Sequence, residues 1–326
     1  MSTLARFRPD NFTLALAGTV VLASLLPASG NFAQVLEQVT SAVIIVLFFL
    51  HGSKLSRQAI LAGIGHWRLH LLVTATTFAF FPVLGWLLKP TLQLLLPPEL
   101  VLGVLFLCAL PATVQSAIAL TGLARGNIPA AVCSASGSTL MGIVFTPILV
   151  GILLSHSASA GNPFDAIGKI AAQLLLPFVV GHLLRPWTSG LLQRVGNKIK
   201  IVDQGSILLV VYSAFSGAVV AGLWQQMPFT SMLLLFAVCA LILACSMGWC
   251  IWASRRFGFS TADEATILFC GAQKSLVSGI PMAKVLFAAS AVGPMVLPVM
   301  LFHPMQLMVS AVIAGYYGRK ADNPAI

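Results

Sequence analysis

Apolar runs, each roughly 20 residues long, follow one another along nearly the whole chain, and the short stretches between them hold most of its charge. A run of that length crosses a bilayer core of about 30 Å as an α-helix. The strands of a membrane barrel would instead alternate polar and apolar positions, and no such alternation is present. The pattern predicts an all-α membrane protein with ten transmembrane helices, at residues 12–28, 34–51, 69–88, 99–121, 128–154, 166–185, 203–223, 229–253, 264–287 and 294–317. Breaker residues punctuate the linkers. Pro97-Pro98 precedes the fourth span, Gly126-Asn127-Ile128-Pro129 the fifth, Asn162-Pro163 the sixth and Met227-Pro228 the eighth.

Composition sharpens this reading. Hydrophobic residues make up 58% of the chain and charged residues 8%, with a mean hydropathy of +0.97. A soluble domain carries roughly 25% charged residues, so this chain has too few to cover a water-facing surface. The net charge of +10 does not point to nucleic acid, because the basic residues sit in loops and none of their stretches is interleaved with aromatics. They orient the chain in lipid. With the N-terminus in the cytoplasm, Arg6, Arg8, Lys54, Arg57, Arg68, Arg125, Arg185, Arg194, Lys198, Lys200, Arg255, Arg256, Arg319 and Lys320 all fall inside, and only Lys89 and Lys169 fall outside. That bias, with an even number of spans, places both termini in the cytoplasm. Trp67, Trp86, Trp187, Trp224 and Trp252 fall near span ends, as interfacial anchors do. Arg6 and Arg8 before the first span imitate a signal peptide, but Pro27-Ala28-Ser29-Gly30 is a loose cleavage match, and the segment reads as a retained helix. The lean loops suit a bacterial inner membrane. The six cysteines lie inside apolar spans without metal-type spacing and read as small hydrophobes.

Two spans are interrupted. The fourth carries Leu110-Pro111-Ala112-Thr113-Val114-Gln115-Ser116-Ala117, and the ninth carries Cys270-Gly271-Ala272-Gln273-Lys274-Ser275-Leu276. Each is the fourth span of a set of five. A five-helix unit repeated in tandem enters the membrane from opposite sides, so the expectation is two inverted repeats, residues 1–160 and 161–326, with broken helices 4 and 9 crossing near midplane. Breaks in corresponding positions mark the binding site of such transporters. Backbone groups freed there need partners, because lipid offers none.

Lys274 lies about ten residues past Asp263 and Glu264, hence about 15 Å deep. A charge there is costly and reads as functional. Lys284, further along, is explained by snorkelling to the outer interface. All eight acidic residues lie in loops or at span ends, so a buried partner for Lys274 must be a neutral oxygen, a helix terminus or an anionic ligand. Ser134-Ala135-Ser136-Gly137-Ser138-Thr139 in the fifth span reads as close helix packing. Phe302-His303-Pro304 in the tenth puts a histidine at mid-span, either as packed core or in a ligand or proton role. His66 and His70 lack a third metal ligand. No nucleophile–base or metal constellation is present, so the chain does not read as an enzyme.

These residues carry a resemblance. Thr77-Phe78-Ala79-Phe80-Phe81-Pro82, Leu123-Ala124-Arg125-Gly126-Asn127, Gly271-Ala272-Gln273-Lys274-Ser275-Leu276 and Phe302-His303 together resemble the bile-acid:sodium symporter superfamily, most closely its divergent bacterial branch of solute:sodium symporters. The resemblance implies a core domain of helices 3–5 and 8–10, a panel domain of helices 1, 2, 6 and 7, an amphipathic organic anion between them, and two Na⁺ ions behind the crossed helices. One sodium site would use Thr77, Gln273 and backbone carbonyls around Phe269, Cys270 and Ala272. The family's acidic residue of span 9 falls on Phe269 and the following Asn on Lys274. The span 4 pair of the other site falls near Ser116–Ile118, and its span 5 ligands on Ala131 and Ala135. That second site is eroded, and Lys274 is a built-in cation in its place.

The expectation is sodium-coupled symport of an organic anion by alternating access. Gln115, Ser116, Gln273, Lys274 and Ser275 would line the crossover, and His303 would face the substrate. The alternatives are a sodium-independent or proton-coupled transporter that relies on Lys274, or a non-transporting membrane regulator.

Overall fold

Proline and glycine decide where the helices stop, and the apolar runs between them are helical throughout. The computed structural model describes residues 11–54, 65–154, 168, 171–195, 198–220, 222 and 228–322. The helices are α1 (Asn11–Leu25), α2 (Gly30–Lys54), α3 (Trp67–Leu95, with a π-helical turn at Thr76–Phe80), α4 (Pro98–Ala109), α5 (Gln115–Leu123) and α6 (Ile128–Leu154). They continue as α7 (Leu176–Leu183, preceded by a π-helical turn Ala171–Leu175), α8 (Arg185–Val195), α9 (Lys198–Val220), α10 (Phe229–Arg256), α11 (Thr261–Gly271), α12 (Leu276–Leu286) and α13 (Ala289–Asp322). No strand occurs among the described residues. Five helices (α2, α3, α6, α10 and α13) are long and apolar enough to cross a membrane, and α1, α4, α7 and α9 contain shorter apolar segments. The chain is a multi-pass membrane protein.

The expected interruptions are real. Pro111 has no N–H to offer Leu107, so α4 ends at Ala109, and the chain runs unwound from Leu110 to Val114 before α5 begins. The ninth run breaks between Gly271 and Leu276, where Ser275 caps α12 by accepting the Ser278 N–H at 3.1 Å. One element is a correction. Arg185–Val195, expected as a linker between spans, is the helix α8, because its polar composition hides a helix that lipid does not cover. The boundary at 160/161, Asn162-Pro163, Met227, Trp224, Arg6, Arg8, Arg57 and Lys169 lie outside the described residues.

The packing falls into two sets. α1 lies on α9, and α2 lies on α7 and α9, whereas α3, α4, α5, α6, α10, α11, α12 and α13 pack among themselves. α9 also reaches α12 and α13, and α6 touches the Ala171–Leu175 turn before α7, joining the sets. The α2–α7 crossing is unusually close. A Cβ added at Gly52 would lie 1.9 Å from the Phe178 carbonyl oxygen, and one at Gly181 would lie 2.0 Å from that of Phe49. Ser53 adds a hydrogen bond to the Gly181 carbonyl at 3.0 Å. Without a hydrophobic driving force in lipid, such contact between small residues is what holds helices together.

The Leu123–Asn127 stretch has a local explanation. Arg125 takes the left-handed conformation, φ 58°, and the Gly126 N–H bonds back to the Thr121 carbonyl at 2.8 Å, closing α5. Asn127 then docks on the first turn of α11. Its N–H reaches Thr266 Oγ1 at 2.9 Å and its side-chain amide reaches Asp263 at 3.1 Å. The cytoplasm-facing start of α11, in the expected orientation, is further held by Glu264, which is buried, pairs with Arg255 through two hydrogen bonds and accepts from Tyr317. Both broken runs are therefore pinned to each other at one end.

Replacing Gly181 by Ala should force α2 and α7 apart and cost about 1–3 kcal/mol, seen as a lower melting temperature of the purified protein in detergent. Gly248, with open space around its Cα, is the control, and Ala there should leave the melting temperature unchanged or raise it.

Candidate functional site

The two unwound segments touch directly. The Ser275 N–H donates to the Pro111 carbonyl at 2.9 Å, so the break in one run fills a vacancy left by the break in the other. Other freed groups are taken by neighbours. The Ala112 N–H donates to Ser138 Oγ at 3.0 Å, and Thr146 Oγ1 donates to the Ala109 carbonyl at 2.9 Å. Two serine and threonine positions of α6 thus do more than allow close packing.

Lys274 stands at the centre of this knot and is fully buried, with 0% of its surface exposed. Its Nζ donates to the carbonyls of Leu110 at 2.7 Å, Thr77 at 2.9 Å and Cys108 at 3.3 Å. An ammonium has three N–H donors, and all three are used. The ring of Phe81 lies 3.9 Å away, centroid to Nζ, and adds a cation–π contact. Each carbonyl is free for a stated reason. Those of Cys108 and Leu110 belong to the end of α4, the negative pole of its dipole. The Thr77 carbonyl is orphaned by the π-helical turn. There the Phe81 N–H bonds to Thr76 instead, and the next residue, Pro82, has no N–H to give.

The backbone of Lys274 is held as firmly as its side chain. Gln306, on α13, accepts the Lys274 N–H at 2.8 Å and donates to the Lys274 carbonyl at 2.9 Å. Its Nε2 also lies 2.9 Å from His303 Nδ1. Gln273 points elsewhere. Its Oε1 accepts from Thr113 Oγ1 at 2.7 Å and Ser116 Oγ at 3.0 Å, and its Nε2 donates to Ser310 at 3.3 Å.

In front of the knot lies an open cleft. One wall holds Thr113, Gln115, Ser116, Ser275, Ser278 and His303, and the other holds Phe48 and His51 of α2 with Gln204 and Ile207 of α9. The N-termini of α5 and α12 both border it. Among the described residues no acidic side chain lines it.

The residues expected at the site therefore separate. Gln115, Ser116, Ser275 and His303 face the cleft. Gln273 and Lys274 lie behind it, in the polar knot. Thr77 is joined to Lys274 through its carbonyl, while its hydroxyl is buried without a partner. No hydrogen bond links Thr77 to Gln273 among the described residues. Phe269, Cys270 and Ala272 are buried along the end of α11, with Cys270 Sγ directed at the Ala131 carbonyl, 3.8 Å away, and the Ala272 N–H bonded to Leu268 at 3.1 Å. Sequence reasoning missed Gln306, Thr113 and Ser310. The first and last had a signal, because His303, Gln306 and Ser310 fall three and seven residues apart on one helical face.

A family model describing SBF-like CPA transporters matches residues 10–319. The chain belongs to that family. The Pseudomonas aeruginosa protein PA2026 is 60% identical, over 98% of this chain and 96% of its own length. "Putative symporter YfeH" of Escherichia coli is 51% identical over 96% and 94%. Sodium/bile acid cotransporter 7 of Rattus norvegicus is 29% identical over the same shares of 96% and 94%. The family and these relatives make the protein a membrane transporter of the bile-acid:sodium symporter type and not an enzyme.

Gln306→Leu should strand both backbone groups of Lys274 and cost about 2–4 kcal/mol, read as a fall in melting temperature. Gln115→Leu, on the cleft wall, should stay within about 0.5 kcal/mol of the parent and change transport instead.

Proposed function

We propose that the protein is a secondary active transporter that moves an organic anion by alternating access, with the Lys274 ammonium in the role of one cation that sodium symporters recruit from solution. One observation carries this reading: the Lys274 Nζ is held by three backbone carbonyls and an aromatic face in the crossover, the kind of oxygen cage that suits a bare cation. Three acceptors around one nitrogen call for three N–H groups, which only the charged amine has. Because the side chain points away from the cleft, its positive charge acts on a substrate through space and not by contact.

Further features support the same reading. The paired breaks, meeting at Ser275 and Pro111, fit two inverted five-helix repeats, residues 1–160 and 161–326. The packing of α1, α2, α7 and α9 as one set fits a panel that rocks against a core formed by the other helices, with the cleft between. Two helix N-termini, the Gln115 amide and the Ser278 hydroxyl offer donors to a negative group, and Phe48, Val114, Ile207 and Val277 offer an apolar wall to the remainder of the molecule. The distribution of Lys and Arg favours cytoplasmic termini in a bacterial inner membrane.

Sodium symport is the second reading, and Thr77 favours it. Its buried hydroxyl lacks a partner beside the cage, and a Na⁺ there would supply one. The relatives called sodium/bile acid cotransporter 7 add weight to it. Against it, the Gln273 side-chain oxygen already accepts two hydrogen bonds, and the Thr77 carbonyl already holds the ammonium. Proton coupling would run through His303, which faces the cleft.

The deciding measurement is thermal stability of the purified protein in NaCl against choline chloride at equal ionic strength. A resident ammonium predicts equal melting temperatures, and a Na⁺-specific rise would establish the second reading by linkage. Lys274→Ala should lower uptake of labelled amphipathic organic anions into proteoliposomes by about tenfold or more. Because the substitution empties a carbonyl-lined cage, Na⁺ should restore part of that uptake and choline none.

A further inference from the structure

Lys284 is half-buried and has a hydrogen-bond partner within the protein. Its Nζ donates to Ser213 Oγ of α9 at 2.6 Å, and Glu37 of α2 is near enough to interact with it electrostatically. The contact joins α12 to the set that contains α2 and α9. It lies on the opposite side of the crossover from the cleft. His51 and Gln204, which line the cleft, sit near the ends of α2 and α9 that carry Lys54 and Lys198. Ser213 is nine residues further along α9, roughly 14 Å, and Glu37 is fourteen residues before His51, roughly 21 Å. Lys284 is nine residues beyond Ser275 in the same direction. At this far side α9 and α13 close tightly. A Cβ at Gly293 would come within 2.2 Å of that of Ala218, and Val292 is 1% exposed.

We propose that Lys284 and Ser213 form the polar latch that shuts the transport path on the side away from the basic loops, and that this pair sets how often that side opens. The inference rests on the alternating-access reading above. The two lysines of the ninth span are solvated very differently. Lys274 has three carbonyls, whereas the hydrogen bonding of Lys284 among the described residues is one hydroxyl. An ammonium so thinly solvated gains water when the seam parts, which offsets the lost contact and keeps the latch easy to release. A charge that was merely a structural pin would behave otherwise.

The two partners then have opposite effects. Lys284→Met keeps the length of the side chain and removes the charge. Because Glu37 is exposed, its attraction to the ammonium is screened, so the relief of desolvation prevails and the closed seam becomes more favourable. Ser213→Ala leaves the ammonium in the seam without its hydroxyl, so the closed state is penalised. Val292→Cys serves as the reporter, labelled in intact cells by a membrane-impermeant maleimide, with the parent chain as the blank for the native cysteines. Ser213→Ala should raise the labelling rate about fivefold, and Lys284→Met should lower it about fivefold. If both substitutions raise the rate, the pair is only a pin, and if neither moves it, the seam does not open through this contact. Either result overturns the proposal. Ala214→Cys on α9, 2% exposed, is the second reporter should Val292→Cys fail to accumulate. Labelling requires no substrate, so its outcome is independent of whether organic anions are the cargo, which uptake by the same variants decides.

Discussion

A lysine ammonium buried among apolar helices would unfold the region around it unless every proton met an acceptor. Charges at the bilayer centre cost several kcal/mol when unpaired, and no carboxylate is at hand to neutralise Lys274. The protein meets that demand with backbone. A helix ended by Pro111 exposes the carbonyls of Cys108 and Leu110, and a π-helical turn followed by Pro82 exposes that of Thr77. Freed carbonyls and a buried ammonium are each unfavourable alone in lipid. Together they satisfy one another, so the helix breaks and the lysine depend on each other for their existence.

This arrangement gives the crossover two faces of different character. Behind the breaks, Lys274, Gln306, Gln273, Thr113 and Ser310 form a buried polar network. In front, hydroxyls, helix N-termini and His303 remain turned toward the cleft. A densely bonded buried network of this kind favours one arrangement of its side chains. On the cleft wall the Gln115 amide and the Ser278 hydroxyl keep donors for a ligand. Gln306 connects the faces, since its amide touches both the Lys274 backbone and His303.

Polar contacts between the two helix sets are sparse. α2 and α7 interlock through Gly52 and Gly181 within one set, and Asn127 and Glu264 fasten α5, α10 and α13 to α11 within the other. Between the sets, α9 meets α12 and α13 mainly through apolar packing with the Lys284–Ser213 bond added. The seam between the sets is thus extensive and close, with Gly293 against Ala218, but mostly apolar.

Much of this was legible in the order of residues alone. Runs of apolar residues long enough for the bilayer, with charge confined between them, admit only helices, because lipid cannot satisfy an open backbone. Pro111 and the Gly271–Ser275 stretch announced the breaks, and an isolated lysine at mid-span announced a site that needs neutral oxygens. The motifs around Thr77, Asn127, Gln273 and His303 pointed to the family. Helix α8 was not read from the sequence, since its apolar positions Trp187, Leu191 and Val195 are few and sit among polar residues in a segment too short to span a bilayer. Nor was the division of labour among site residues. Adjacent in sequence, Gln273, Lys274 and Ser275 point in different directions because an unwound backbone has no fixed periodicity. The partners of Lys274 lie 164 to 197 residues away, and Ser213 lies 71 residues from Lys284. Helix composition determined that the chain would span a membrane and break twice. Only the packing of distant helices decided which freed carbonyl met which buried proton, because a hydrogen bond depends on position in space and leaves no mark in local sequence.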